Sequence, residues 1–213
     1  MKKLSTSKQM AINMVAAIVS FLIGTGINFV LAPYLVKELG SETYGFIGLA
    51  NNFVQYATIV TSALNSMLGR FISIEYSKGN IDKASRYFSS VLVADLIIAG
   101  VLLLVSSIIT FNIEFILNVP ENLVDSVKIL FALTFATFII SVITAIFTTA
   151  AFVKNKLYIN SLRDIASNTL KLLLVVILFS FFPAKVYFLA MASLASGIFL
   201  LLTNIKVKNK ILP

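Results

Sequence analysis

The sequence predicts an all-α polytopic membrane protein with six transmembrane helices, on three observations. Of the 213 residues, 59% are hydrophobic and only 12% charged, where a soluble domain carries about 25% charge. The apolar residues gather into six runs, each at or beyond the ~20 residues that a helix needs to cross hydrocarbon. The basic residues fall in the short segments between those runs and alternate strongly in number from one side to the other. Cysteine and histidine are absent, which excludes disulfides, thiol chemistry and the usual zinc or haem ligands. Neither metal nor cofactor is expected. The net charge of +8 follows from the positive-inside rule and does not point to nucleic acid. Trp is also absent, leaving Tyr and Phe for the membrane interfaces.

The first run, Met10–Val36, follows Lys2, Lys3 and Lys8. It is too long for a signal-peptide core and has no convincing small-x-small cleavage site, so it reads as a retained helix. Asn13, Ala17, Ser20, Gly24 and Asn28 share one face of it, where small residues permit close approach and asparagines can bond between helices.

The second run, Tyr44–Ile74, carries the most pointed signal in the chain. Asn51, Gln55, Thr58, Ser62, Asn65 and Gly69 recur at alternating steps of four and three, which places them on one helical face. An uncharged polar stripe of that length is expected to face other helices or a water-filled cavity rather than lipid. Arg70 closes it. Asn28, Asn51, Gln55, Thr58, Ser62, Asn65 and Arg70 are therefore the candidate cavity-lining, substrate-binding residues.

The third run, Tyr87–Thr110, contains Asp95, about 12 Å along the helix from Tyr87 and at a depth comparable to Arg70. Two readings stay open for Asp95: a helix lock formed with Arg70, or a coupling-ion site that leaves Arg70 free for an anionic substrate. Between runs two and three, Lys78-Gly79-Asn80 predicts a turn. Before the fourth run, Val119-Pro120-Glu121-Asn122 predicts a short helical lead-in. The fourth run, Ser126–Val153, has a stripe of Thr134, Thr137, Ser141, Thr144 and Thr148, which reads as helix packing, since hydroxyls bond back to carbonyls of their own helix. The fifth, Ile165–Phe182, reaches membrane length only narrowly. The sixth, Val186–Ile205, has the small-residue pairs Ala192/Ser196 and Ser193/Gly197.

Short connections predict that consecutive helices are antiparallel neighbours. Fourteen of the 17 Lys and Arg residues fall on one side, Lys171 among them, and Lys37, Lys128 and Lys185 on the other. That asymmetry predicts that both termini are cytoplasmic. No nucleophile–base pair, phosphate-cradling glycine loop, paired carboxylates or metal cluster is discernible, so an enzyme is not expected.

The first hairpin has a recognisable pattern. The run Asn28-Phe-Val-Leu-Ala-Pro33-Tyr34-Leu-Val-Lys37-Glu-Leu39-Gly40-Ser-Glu42-Thr-Tyr44-Gly45 resembles the amino-terminal signature of bacterial polysaccharide and O-antigen flippases. That family shares a superfamily with multidrug exporters. Arg70, Ser77-Lys78-Gly79-Asn80, Lys83-Ala84 and Tyr87-Phe88-Ser89-Ser90 continue the resemblance. Members have twelve to fourteen helices in two six-helix lobes around a central cavity. The resemblance therefore implies that residues 1–213 form a single six-helix lobe, the first half of a longer transporter. It implies alternating-access transport of a lipid-linked oligosaccharide across the bacterial cytoplasmic membrane. The lipid-linked sugar diphosphate would rest on the polar stripes and Arg70. Other implied partners are membrane lipids, a second lobe and polysaccharide-assembly proteins. The alternatives are a cation-coupled multidrug exporter, which puts more weight on Asp95, and a non-transporting partner subunit.

Overall fold

The computed structural model describes residues 6–211, apart from the side chains of residues 60, 62–69 and 211. Its long helices are α1 (Thr6–Leu39), α2 (Ser41–Ser77), α3 (Ile81–Phe111), α5 (Val124–Val153), α6 (Tyr158–Phe181) and α7 (Phe188–Ile211). A single turn, α4 (Ile113–Ile116), and a 3₁₀ turn at Glu121–Leu123 precede α5. The latter is the expected lead-in, with Pro120 just before it. No strand is present among the described residues.

Five helical segments are long and apolar enough to cross a membrane: Thr6–Leu39, Ile81–Phe111, Glu121–Val153, Tyr158–Phe181 and Phe188–Lys210. α2 is as long as any of them, but its polar stripe makes it the least apolar. The fifth run differs from expectation by beginning at Tyr158 rather than Ile165. Hydropathy stops at the adjacent charges Arg163 and Asp164, whereas the helix carries Arg163 inside the protein, where it is bonded.

Two helices end in the same way. At the end of α2, Gly79 N–H donates to Tyr76 O and Asn80 N–H to Glu75 O, with Gly79 at φ +82°. At the end of α5, Asn155 N–H donates to Phe152 O and Lys156 N–H to Ala151 O, with Asn155 at φ 53°. Both are Schellman closures, which need a left-handed residue just past the helix. Glycine supplies it at no steric cost in the first. Asparagine, the next most tolerant residue, supplies it in the second.

Sequence neighbours pair as expected at α2–α3, α3–α5 and α6–α7, but not at α1–α2 or α5–α6. α5 is the hub and packs on α7, α2 and α3, while α6 packs on α1 and α7. α1 touches α2 only lightly, as does α5 its own successor α6. The polar and small face of α1 finds matching groups on α6. Asn13 reaches the start of α6, and a Cβ at Gly24 would stand 3.4 Å from Asn168 Nδ2. The result is a ring of α1, α2, α5, α7 and α6, with α3 outside it against α2 and α5.

The two ends of the ring are closed by different chemistry. At the end holding the α2 and α7 N-termini, Phe46, Ile47, Ala50, Val127, Leu130 and Phe131 form one buried cluster. Leu31, Leu35, Val175, Phe179, Phe188 and Ala192 form another. Edge-to-face rings pack within each of them, Phe53–Phe131 and Phe131–Phe135 in the first and Phe179–Phe188 in the second. The opposite end is closed by polar latches. Asn13 Nδ2 donates to Asn155 O (3.1 Å) and Oδ1 (3.0 Å), and Tyr158 N–H donates to Asn13 Oδ1 (3.1 Å). Asn13 thus holds the left-handed Asn155 and satisfies an N–H that the first turn of α6 leaves unpaired. Lys154 donates to the Tyr76 hydroxyl and sits 4.6 Å over its ring, tying α5 to α2.

Candidate functional site

Between the apolar and polar closures lies a cavity of about 390 Å³. α2 presents Ile47, Asn51, Val54 and Thr58 to it, at steps of four, three and four. α5 contributes Thr134, Thr137 and Ser141, α6 contributes Ser167 and Lys171, and α7 contributes Ser193, Ser196 and Gly197. Four helices that are apolar elsewhere thus turn small polar side chains onto one space. The Thr/Ser stripe of α5 divides: its first three members line the cavity, while Thr144 is buried in packing.

Five of the seven lining hydroxyls donate to backbone carbonyls. Thr58 donates to Val54 O (2.8 Å), Thr137 to Leu133 O (2.8 Å) and Ser141 to Phe138 O (2.7 Å). Ser196 donates to Ser193 O (2.9 Å), and Ser167 crosses to α7, donating to Ser196 O (3.1 Å). With their protons engaged by backbone carbonyls, these hydroxyls offer the cavity oxygen lone pairs, a surface suited to groups that donate. Donors for a cargo come from the Asn51 amide and the Lys171 ammonium. Lys171 is the one charged residue among the described residues lining the cavity.

The structure distributes the sequence candidates unevenly. Asn51 and Thr58 line the cavity. Gln55, about 100° round the helix from Val54, is exposed and does not line it. The side chains of Ser62 and Asn65 lie outside the described residues. Asn28 lines a separate open groove between α1 and α6, with Ser20, Thr25, Ser161, Asp164 and Asn168. The polar faces of the first two helices therefore do not form one surface. Arg70 is exposed, Asp95 is 2% exposed, and no ion pair joins them among the described residues. Asp95 Oδ2 is buried without a hydrogen-bond partner among those residues.

Lys171 was hidden by the counting of basic residues, which groups it with the cytoplasmic cations. It stands about 20 Å along α6 from Tyr158. Its signal was the four-residue step from Ser167, which puts a hydroxyl and an ammonium on one face. Arg163 was hidden likewise. It is buried, donating to Asn204 Oδ1 (2.6 Å), Thr203 O (3.4 Å), Ile159 O (3.1 Å) and Asn160 Oδ1. This is the polar lock of the bundle, and it joins α6 to α7.

The chain is thus a helical bundle with five segments long and apolar enough to cross a membrane and a hydroxyl-lined chamber between four of its helices. The chain is a member of the Polysaccharide biosynthesis protein family, whose profile matches residues 10–210. It is 31% identical over 202 residues to a protein of Bacillus subtilis (strain 168) described as "Uncharacterized membrane protein EpsK". That match covers 95% of this chain and 40% of the relative, so the chain spans well under half of the relative's length. No solved structure matches it significantly.

Proposed function

We propose that this protein forms the first six-helix lobe of a flippase for lipid-linked oligosaccharide, working in the bacterial cytoplasmic membrane with both termini in the cytoplasm. The observation that carries this reading is the chamber itself. A wall of serine and threonine oxygens with one amide and one ammonium complements sugar hydroxyls, which donate as readily as they accept. The contacts are many, weak and mostly uncharged, so a polar head group can be held inside the membrane and still released. A second lobe would supply the facing wall, and rocking of the two lobes would expose the chamber to each side in turn. The family membership and the polysaccharide context support this substrate class.

Deleting the gene tests the proposal. Surface polysaccharide should fall, and polyprenyl-linked oligosaccharide should accumulate on the cytoplasmic leaflet. Unchanged surface polysaccharide with no inner-leaflet accumulation would exclude the reading. The cation-coupled exporter keeps one specific observation, the buried unpartnered oxygen of Asp95. It predicts ion-dependent efflux of soluble drugs that Asp95→Asn abolishes.

A further inference from the structure

A lysine halfway along a membrane helix is expensive to keep charged unless something offsets it. Lys171 is half-buried, faces a chamber with no carboxylate on its described wall, and makes no ion pair or hydrogen bond among the described residues. Most of the surrounding hydroxyls have their protons committed to backbone carbonyls. They can accept from a cargo but add little positive character. An anionic cargo group therefore has one strong donor in this chamber, and a neutral sugar would leave that donor uncompensated.

The chamber also has an apolar neighbour. Val54 and Phe138 line it and at the same time line a groove of about 240 Å³ between α2, α3 and α5, with Phe53, Leu102, Val105 and Ile109. A polar space that takes oxygens and an apolar groove that takes hydrocarbon share one wall two side chains wide. The molecule that fits such a pair carries its charge between a hydroxylated head and a hydrocarbon tail.

We infer that Lys171 is the contact for the phosphate oxyanions of the cargo, with the chamber hydroxyls receiving the sugar. This rests on the flippase reading and sharpens it, because it moves the charged contact from Arg70, which is exposed, to the interior of α6. The same oxyanion chemistry belongs to ordinary anionic phospholipids, and the experiment separates the two sources.

The chain has no cysteine, so Lys171→Cys is a single-cysteine protein that can be recharged in place. Binding of undecaprenyl diphosphate to the purified protein in detergent is measured by native mass spectrometry, with phosphatidylglycerol as competitor. The wild type should bind undecaprenyl diphosphate and keep it in equimolar phosphatidylglycerol. Lys171→Cys should lose at least tenfold in affinity. Aminoethylation of that cysteine should restore binding, and a sulfonatoethyl label should not. Because all three forms are one folded polypeptide, loss and recovery report charge rather than folding. Equal affinity of Lys171→Cys and wild type would overturn the assignment and leave the flippase reading standing. Displacement by equimolar phosphatidylglycerol would reassign the contact to bulk membrane lipid. A wild type that binds no undecaprenyl diphosphate would remove the assignment, while the gene deletion decides the flippase reading.

Discussion

The Arg163–Asn204 lock lends itself to a quantitative test. Asn204 is 1% exposed and Arg163 9%, and the guanidinium donates to the amide oxygen over 2.6 Å. Water cannot replace either partner. Hydrogen bonds between neutral side chains in membrane bundles average only ~0.6 kcal/mol and reach ~1.7. A bond to a charged group contributes ~1.5–3 kcal/mol, and that larger figure applies here. Asn204→Leu should therefore cost about 1.5–3 kcal/mol. It should stay below the ~3–5 kcal/mol of a buried charge left unpaired, because Asn160 Oδ1, Ile159 O and Thr203 O still accept from Arg163. Arg163→Met strands a neutral acceptor and should cost about 1–3 kcal/mol. In the double mutant the two costs should overlap, giving a coupling free energy near ~1.5 kcal/mol or above. The assay is equilibrium unfolding in mixed micelles of the wild type, both single mutants and the double mutant. A coupling under ~0.5 kcal/mol, the limit at which independent sites add, would show that the pair does not lock α6 to α7.

Three further outcomes are expected. Asn13→Leu should lose about 1–3 kcal/mol and raise hydrogen exchange in residues 154–158, and unchanged exchange there would show that the latch is idle. Single cysteines at Asn51, Thr134 and Ser193 should react with membrane-impermeant thiol reagents in at least one conformational state, while cysteines at Leu22 and Leu104, both exposed on apolar helix surfaces, should not. Unreactive cysteines at all three cavity positions would mean a dry chamber. Cysteines at Ser41 and Asn122 should be labelled from outside the cell and those at Asn80 and Lys156 should not, and outside labelling at Asn80 would reverse the orientation.

The helices were legible in the sequence because the bilayer imposes their length, and the six apolar runs match the six long helices to within a few residues at most ends. The exceptions have one cause. Hydropathy ends a helix at a charge, and the Arg163–Asp164 pair concealed the first two turns of α6. The polar stripes on α2 and α5 were legible as faces, since a period is a local property. Their partners were not. Nothing local says that Thr137 meets Gly197 across a gap (3.7 Å from Thr137 Cγ2 to a Cβ built there), or that α1 turns away from α2 toward α6. Charge counting treats each lysine as a marker of a side, and so did not single out Lys171, which its helix places on the chamber wall.

The preference of α1 for α6 bears on how the bundle is assembled. α1 emerges from the ribosome first, yet its main packing partner begins at Tyr158, roughly 120 residues after Leu39. At synthesis rates of about 5–20 residues per second, that is a delay on the order of 6–24 s. Throughout it Asn13 lacks Asn155 and Tyr158, and Gly24 lacks Asn168. A newly inserted α1 must keep a polar seam sheltered from hydrocarbon without the helix that finally covers it. A nascent chain arrested before α6 should therefore hold α1 beside the insertion machinery, and release it only when the fifth long helix has passed.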